Sequence, residues 1–312
     1  MQNITYFQAI VIGLLQGVTE LFPVSSLGHS VLVPAWIGGD WQRLVQQESS
    51  QESPYLAFIV GLHTATALAL LTLFFRDWVA IIKAFFGSIR RRRIESVHER
   101  LAWLLVVATI PAGILGLALE HALRTLFAKP LAAAIFLTIN GLLLIAGERL
   151  RRRSTTGDAT GPAASTAVRE AVESTGDTDE QALDAAIGAH VSVRDAGVIG
   201  VLQTAALFAG ISRSGITMVG GLLRGLTHEE AVRFSFLLAT PIIFAAGVYK
   251  VPDLFGPLGD GIRGQVLAGS AVAFVAAFAS AAFLVRWFKT RTLTPFAIYC
   301  LVAGVASIVR FA

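Results

Sequence analysis

The chain is poor in charge and nearly free of cysteine. Only 15% of its 312 residues are Asp, Glu, Lys or Arg, while 54% are hydrophobic; soluble domains carry roughly 25% charged residues. This excludes a disordered chain and argues against a soluble globular one. The single cysteine, Cys300, excludes an intrachain disulfide, and no Cys/His spacing reads as a zinc site. No P-loop is present, which argues against nucleotide-driven transport. The amino-terminal apolar stretch lacks a basic leader and runs past any plausible cleavage point, so it reads as mature protein rather than a signal peptide. The formal charge of +4 resembles a nucleic-acid signature only until the charges are located, and no nucleic acid is expected as a partner.

The chain does have long uncharged runs. Residues 54–75, 101–119, 130–147, 266–285 and 292–309 contain no Asp, Glu, Lys or Arg, and a shorter run falls within about 230–250. A bilayer core of about 30 Å needs about 20 helical residues to cross it, and backbone groups in lipid must bond internally. The expected fold class is therefore an all-α polytopic membrane protein with six transmembrane helices. Two further apolar regions, about 1–39 and about 196–225, carry a central charge (Glu20 and Arg213) among Gly, Pro and Ser. Broken helices at membrane depth are tolerated only where they line a cavity, so both read as re-entrant helical hairpins.

Basic residues cluster at Arg90–Arg93, at Arg149–Arg153 and at Arg286–Arg291. These loops are expected on the cytoplasmic side, with both termini outside. Residues 1–153 then read as hairpin, span, span, span, and residues 196–312 read the same with the opposite orientation. That is an inverted-topology repeat, in which sites form where the halves meet. Between the halves, residues 154–195 hold eight acidic residues against two basic ones. This segment reads as an acidic cytoplasmic insert, flexible or with one weak helix near 166–187.

Two segments carry the chemistry. In the first, Gln16 and Glu20 share a helix face, and Pro23, Ser25, Ser26, Gly28 and His29 follow. An intramembrane carboxylate is costly to keep and marks a functional site. In the second, Gly210, Ser212, Arg213, Ser214, Gly215 and Thr217 combine one fixed cation with three hydroxyls and two glycines. Glycine lets backbone N–H groups approach a ligand, and arginine matches phosphate oxygens with a planar fork of donors. Together they suit a phosphate-bearing ligand: Arg213 neutralises the anion, Glu20 is placed to hold a divalent cation, and Ser26 or His29 is placed to attack phosphorus or move protons.

These residues resemble the undecaprenyl-diphosphatase (UppP/BacA) family. Gln16 to Glu20 followed by Pro23-Val24-Ser25-Ser26-Leu27-Gly28-His29 is similar to its first motif, and Ala209-Gly210-Ile211-Ser212-Arg213-Ser214-Gly215-Ile216-Thr217 to its second. Phe234–Pro241 and Pro295–Tyr299 are also similar, and only about 154–195 falls outside the likeness. The departures are Gln16 where many members carry glutamate, Leu27 where threonine is frequent, and Ala209 in place of proline. The resemblance implies a membrane enzyme that removes one phosphate from a C55 polyprenyl diphosphate, with a site open to the extracytoplasmic side of the cell membrane and Mg²⁺ or Ca²⁺ as cofactor. It implies Glu20, Ser26, His29 and Arg213 as catalytic residues and Gln16 and Glu20 as metal-linked ones. Ser25, Gly210, Ser212, Ser214, Gly215 and Thr217 are expected to bind substrate. The expected mechanism has Ser26 attacking phosphorus with His29 as base, and its rival has His29 as the nucleophile. The expected partners are the lipid substrate and the membrane lipid, with a homodimer left open. A lipid transporter using the same site is the alternative function, because inverted repeats are a transporter architecture.

Overall fold

The structure, a computed structural model, describes residues 4–47, 54–127, 129–154, 179–256 and 259–312. Among these the regular structure is helical, with no strand. In the first half, α1 (Tyr6–Thr19) and α2 (Ser26–Ile37) form a hairpin, followed by α3 (Gly39–Gln47), α4 (Pro54–Leu73), α5 (Phe75–Arg91), α6 (Val97–Phe127) and α7 (Pro130–Ser154). In the second half, α8 (Asp179–His190) leads into α9 (Val193–Leu202) and α10 (Arg213–Leu222), which form the second hairpin. Then come α11 (His228–Lys250), α12 (Arg263–Trp287) and α13 (Thr294–Phe311). Among the described residues, five helices are long and apolar enough to cross a membrane on their own: Val97–Gly116, Pro130–Arg153, His228–Val248, Arg263–Trp287 and Thr294–Phe311. The sixth expected span, 54–75, corresponds to α4, which bends by 86° into α5.

The two halves pack reciprocally. The helix α1 lies along α12, α9 along α6, and α7 along α13. Glycines set these contacts, as expected where helices meet without a hydrophobic driving force between them. Gly13 and Gly17, one turn apart on α1, sit against the backbone of Gly269 and Ala273 on α12. Gly200 on α9 sits in the same way against the backbone of Ala108 on α6. On α7, Gly141 faces the Ala297 carbonyl and Leu301, and on α13, Gly304 faces the Ala134 carbonyl and Thr138. The pairs Ala134 and Ala297, Thr138 and Leu301, and Gly141 and Gly304 share one sequence offset, so the two contacts repeat the same positions with the helices exchanged.

Two elements depart from the sequence reading. The helix α5 occupies a stretch read as the end of a span and a loop; only 92–96 separate it from α6. Its charges, Arg76, Asp77, Lys83 and Arg90, recur every few residues and break any uncharged window, yet a surface helix needs only one apolar face. The second departure is at the insert. Residues 155–178 lie outside the described residues, as does the 166–178 part of the weak helix expected near 166–187. From Asp179, however, the chain is not a flexible acidic loop: α8 packs on α6 and α11 with Ala182, Leu183, Ala186 and Ile187 buried. Its Asp184 is 0% exposed and bonds Arg233 of α11 twice, at 2.7 Å and 3.1 Å, while Arg233 also reaches Asp77 of α5 at 2.7 Å. A carboxylate that looks solvated in the sequence is one arm of a buried charge cluster tying α5, α8 and α11 together.

Candidate active site

The hairpin tips meet in the middle of the helical bundle. In the first, α1 ends at Thr19 and the chain turns through Pro23 before Ser25, at φ 71°, caps α2. The Ser25 hydroxyl accepts from the Gly28 N–H at 3.2 Å and, across the interface, from the Gly210 N–H at 3.1 Å. In the second, Gly210 takes φ 115° and Ser212 caps α10 by accepting from the Gly215 N–H at 3.1 Å. A Cβ on Gly28 would meet the backbone of Gly210, and one on Gly210 the backbone of Ala133 and Leu137 on α7.

Gly210→Ala therefore forces both a left-handed backbone and a backbone overlap. Overpacking of this kind costs about 1–3 kcal/mol, with roughly 1–2 kcal/mol more for the backbone. The expected outcome is a clearly lowered melting temperature in detergent, measured against Gly116→Ala, where open space surrounds the added methyl.

Glu20 lies just past the end of α1, 8% exposed. Its Oε1 accepts from Arg213 Nη2 at 2.7 Å. Its Oε2 accepts from Ser26 Oγ at 2.5 Å and Gln16 Nε2 at 3.0 Å. Each hairpin thus supplies one charge of a buried ion pair, and Ser26 is bonded to its anion. The pairing expected between Ser26 and His29 is replaced. His29 Nδ1 faces the Ser25 carbonyl at 2.7 Å, and Nε2 faces the Tyr299 hydroxyl of α13 at 2.7 Å. A carbonyl only accepts, so Nδ1 carries the hydrogen, and in the neutral form of the ring Nε2 accepts from Tyr299. The base bonded to Ser26 is Glu20.

The other expected ligand-binding residues join the hairpins. Ser212 and Ser214 bond each other at 3.0 Å, and Ser214 donates to the Phe22 carbonyl of the first hairpin at 3.3 Å. Thr217 bonds Ser235 of α11 at 2.6 Å, away from Glu20. Gly215 packs against Leu144 and Pro23.

Three residues were missed by the sequence reading. Asn140 of α7 donates to the Pro23 carbonyl at 3.0 Å and accepts from the Ser212 N–H at 2.9 Å, so one side chain holds both tips. His63 of α4 is fixed by the Ile59 carbonyl at 2.9 Å through Nδ1 and brings Nε2 to 3.5 Å from Glu20 Oε2. Tyr299 holds His29. Each is one of several polar residues within an uncharged run, and nothing in the run marks it as the one that meets the site.

The donor set bears on how a cation could be held. Among the described residues no group of three or more His, Cys, Asp or Glu side chains forms a metal cluster. Gln16 presents its amide nitrogen to Glu20, leaving one carboxylate. One carboxylate is not a complete protein cage, and it is compatible with a divalent cation whose remaining ligands come from substrate phosphate oxygens.

Fold and site together define an all-helical integral membrane protein with a buried carboxylate–hydroxyl–guanidinium centre closed by two hairpins. The chain belongs to the family described as bacitracin resistance protein BacA, whose model matches residues 9–306. It is 58% identical to undecaprenyl-diphosphatase 2 of Frankia alni, over 100% of this chain and 99% of that one. It is also 58% identical to an undecaprenyl-diphosphatase of Mycolicibacterium paratuberculosis, over 99% and 98% of the two chains. A protein of that name from Granulibacter bethesdensis is 42% identical over 99% and 97%.

Proposed function

We propose that this protein is an integral-membrane phosphatase that hydrolyses a polyprenyl diphosphate, undecaprenyl diphosphate by its relatives' names, to the monophosphate and inorganic phosphate. The observation that carries the reading is the chain of bonds from Ser26 through Glu20 to Arg213, which puts a nucleophile, a base and an anion-binding cation at one point. The full-length likeness to undecaprenyl-diphosphatases supports the choice of substrate.

In this reading, the incoming diphosphate takes over the guanidinium of Arg213. Ser26 Oγ attacks the terminal phosphorus and passes its proton to Glu20. The bond from that phosphorus to the bridging oxygen breaks, and Glu20 returns the proton to the departing monophosphate. A water then attacks the phosphoserine and gives a proton to Glu20, which hands it to Ser26 as inorganic phosphate leaves. Arg213 stabilises the charge that builds on the transferred group. His29 and Tyr299 hold the first turns of α2, and Asn140 holds the two tips in register. A divalent cation held by Glu20 and the diphosphate would add positive charge to the phosphate oxygens.

The site is proposed to open to the extracytoplasmic face of the cell membrane. The arginine clusters at the α5–α6 corner, the end of α7 and the α12–α13 turn support that orientation.

The test is phosphate release from C55 diphosphate by purified protein in detergent, with and without chelator, followed by acid quench and peptide mapping. The expected result is release by the wild type, none above background by Ser26→Ala, and trapped phosphate on residue 26. Phosphate on residue 29 would move the nucleophile to His29, and no release by folded wild type would overturn the phosphatase.

A further inference from the structure

Away from the hairpins, a groove of about 480 Å³ runs between α5 and α6. Ile82 and Phe86 of α5, and Val106, Ile110 and Ile114 of α6, form its walls, and Pro241 of α11 closes one end. No charged residue lines it. The groove exists because α5 turns away from α4 by 86° while α6 carries Gly113, beside which a side chain would meet open space. Along α6 it extends from Ala102 to Ile114, about 18 Å at 1.5 Å per residue. That is close to the hydrocarbon depth of one leaflet, half of a core of about 30 Å.

A cationic corner stands at its mouth. Arg90 lies one turn beyond Phe86, and Arg92 and Arg93 follow at the end of α5, all exposed. The carboxylates of this corner are already engaged: Arg91 pairs with Glu95 at 3.6 Å and with Glu99. Glu99 also accepts from the backbone N–H groups of Glu95 and Ser96. Arg90, Arg92 and Arg93 have no acidic partner among the described residues. A leaflet-deep apolar slot ending under three free guanidinium groups matches a molecule with an acyl chain and an anionic head.

We propose that the α5–α6 groove is a binding site for one anionic phospholipid of the surrounding bilayer, its acyl chain along α6 and its phosphate on Arg90, Arg92 and Arg93. Guanidinium groups bind phosphate oxygens through paired donors, and juxtamembrane basic clusters select anionic lipids. The site is separate from the catalytic one: His63, which marks the level of Glu20 on α4, is ten residues from the α4–α5 bend, about 15 Å along the helix. A polyprenyl tail could fill the slot but would leave the arginines without a phosphate.

The experiment is native mass spectrometry of the full-length protein in detergent with equimolar phosphatidylglycerol and phosphatidylcholine of matched chains. The expected result is one phosphatidylglycerol retained in preference. The triple variant Arg90→Gln, Arg92→Gln, Arg93→Gln should weaken that retention at least ~10-fold, with Arg91 kept so that Glu99 stays paired. Val106→Trp, or Gly113→Leu should the first not fold, fills the slot and should abolish the preference with the arginines intact. Equal retention of both lipids, or unchanged phosphatidylglycerol retention in the triple variant or in the folded slot variant, overturns the proposal. So does displacement of the bound lipid by C55 monophosphate in wild type and triple variant alike, which would make the slot a polyprenyl-tail site.

Discussion

Glu20→Gln should lower kcat for phosphate release by about 10²–10⁴-fold, the range for a lost acid–base group, while leaving KM unchanged or lower. The change keeps the side chain's shape but removes the acceptor that takes the Ser26 proton across 2.5 Å. It also releases Arg213, now bound at 2.7 Å to Glu20 Oε1, so the cation is freer to meet the diphosphate. Arg213→Ala should behave differently. It removes a group that contacts the substrate both before and during transfer, so KM rises and kcat falls by about 10²–10³-fold, as for other preorganised charge stabilisers. Steady-state kinetics on both variants separates the roles. Glu20→Gln turnover within tenfold of wild type would remove Glu20 as the base, and parallel KM increases in both variants would reduce the pair to a binding device.

The largest effect on stability is expected at Arg233. It is buried, bonds Asp184 and Asp77, and stands 5.8 Å over the Phe74 ring. Removing one partner of a buried ion cluster costs about 3–5 kcal/mol, because the remaining charges lose their compensation. Here two carboxylates would be stranded, with His98, 3.7 Å from Asp184, left as a neighbouring ionisable group. Arg233→Met should lower the melting temperature by ~10 °C, using the scaling for chains of 150–250 residues. Adding Asp184→Asn and Asp77→Asn to Arg233→Met should restore much of that loss, since an all-neutral cluster has no unpaired charge. A melting temperature unchanged in Arg233→Met would mean that α8 contributes nothing to holding α5 and α11.

The same contrast shows what was legible in the sequence. The runs 101–119, 130–147 and 266–285 fall inside α6, α7 and α12, and 292–309 overlaps α13 from Thr294 onward, because a window free of charge is itself the physical requirement for crossing lipid. Both hairpins were legible for a related reason: one charge among helix-loosening residues has few places to sit in a bilayer. The helix α5 was not, because its apolar face is interleaved with charge. For α8, a weak helix near 166–187 was legible and overlaps Asp179–His190, but its burial was not, because Asp184 differs from its solvated neighbours through Arg233, 49 residues on. The site was legible as a set of residue types. Its pairings were not: helical spacing put Ser26 near His29, but the ring is turned to Tyr299, 270 residues away. Asn140 and His63 acquire meaning only from what faces them, and a run of apolar residues does not encode which helix that is.

The ion pair at the centre also constrains how the chain is made. Glu20 leaves the ribosome 193 residues ahead of Arg213. Over that interval an ionised Glu20 lacks the guanidinium that pairs with it in the fold; an ionised Asp at the centre of a spanning helix costs about 2.5–3.5 kcal/mol. The first hairpin is therefore expected to wait at the bilayer surface, or to enter with its carboxyl protonated, until the second is synthesised. The tips, bonded to each other in the fold, are then expected to insert as a pair, and a chain truncated before residue 213 to leave the first half unclosed.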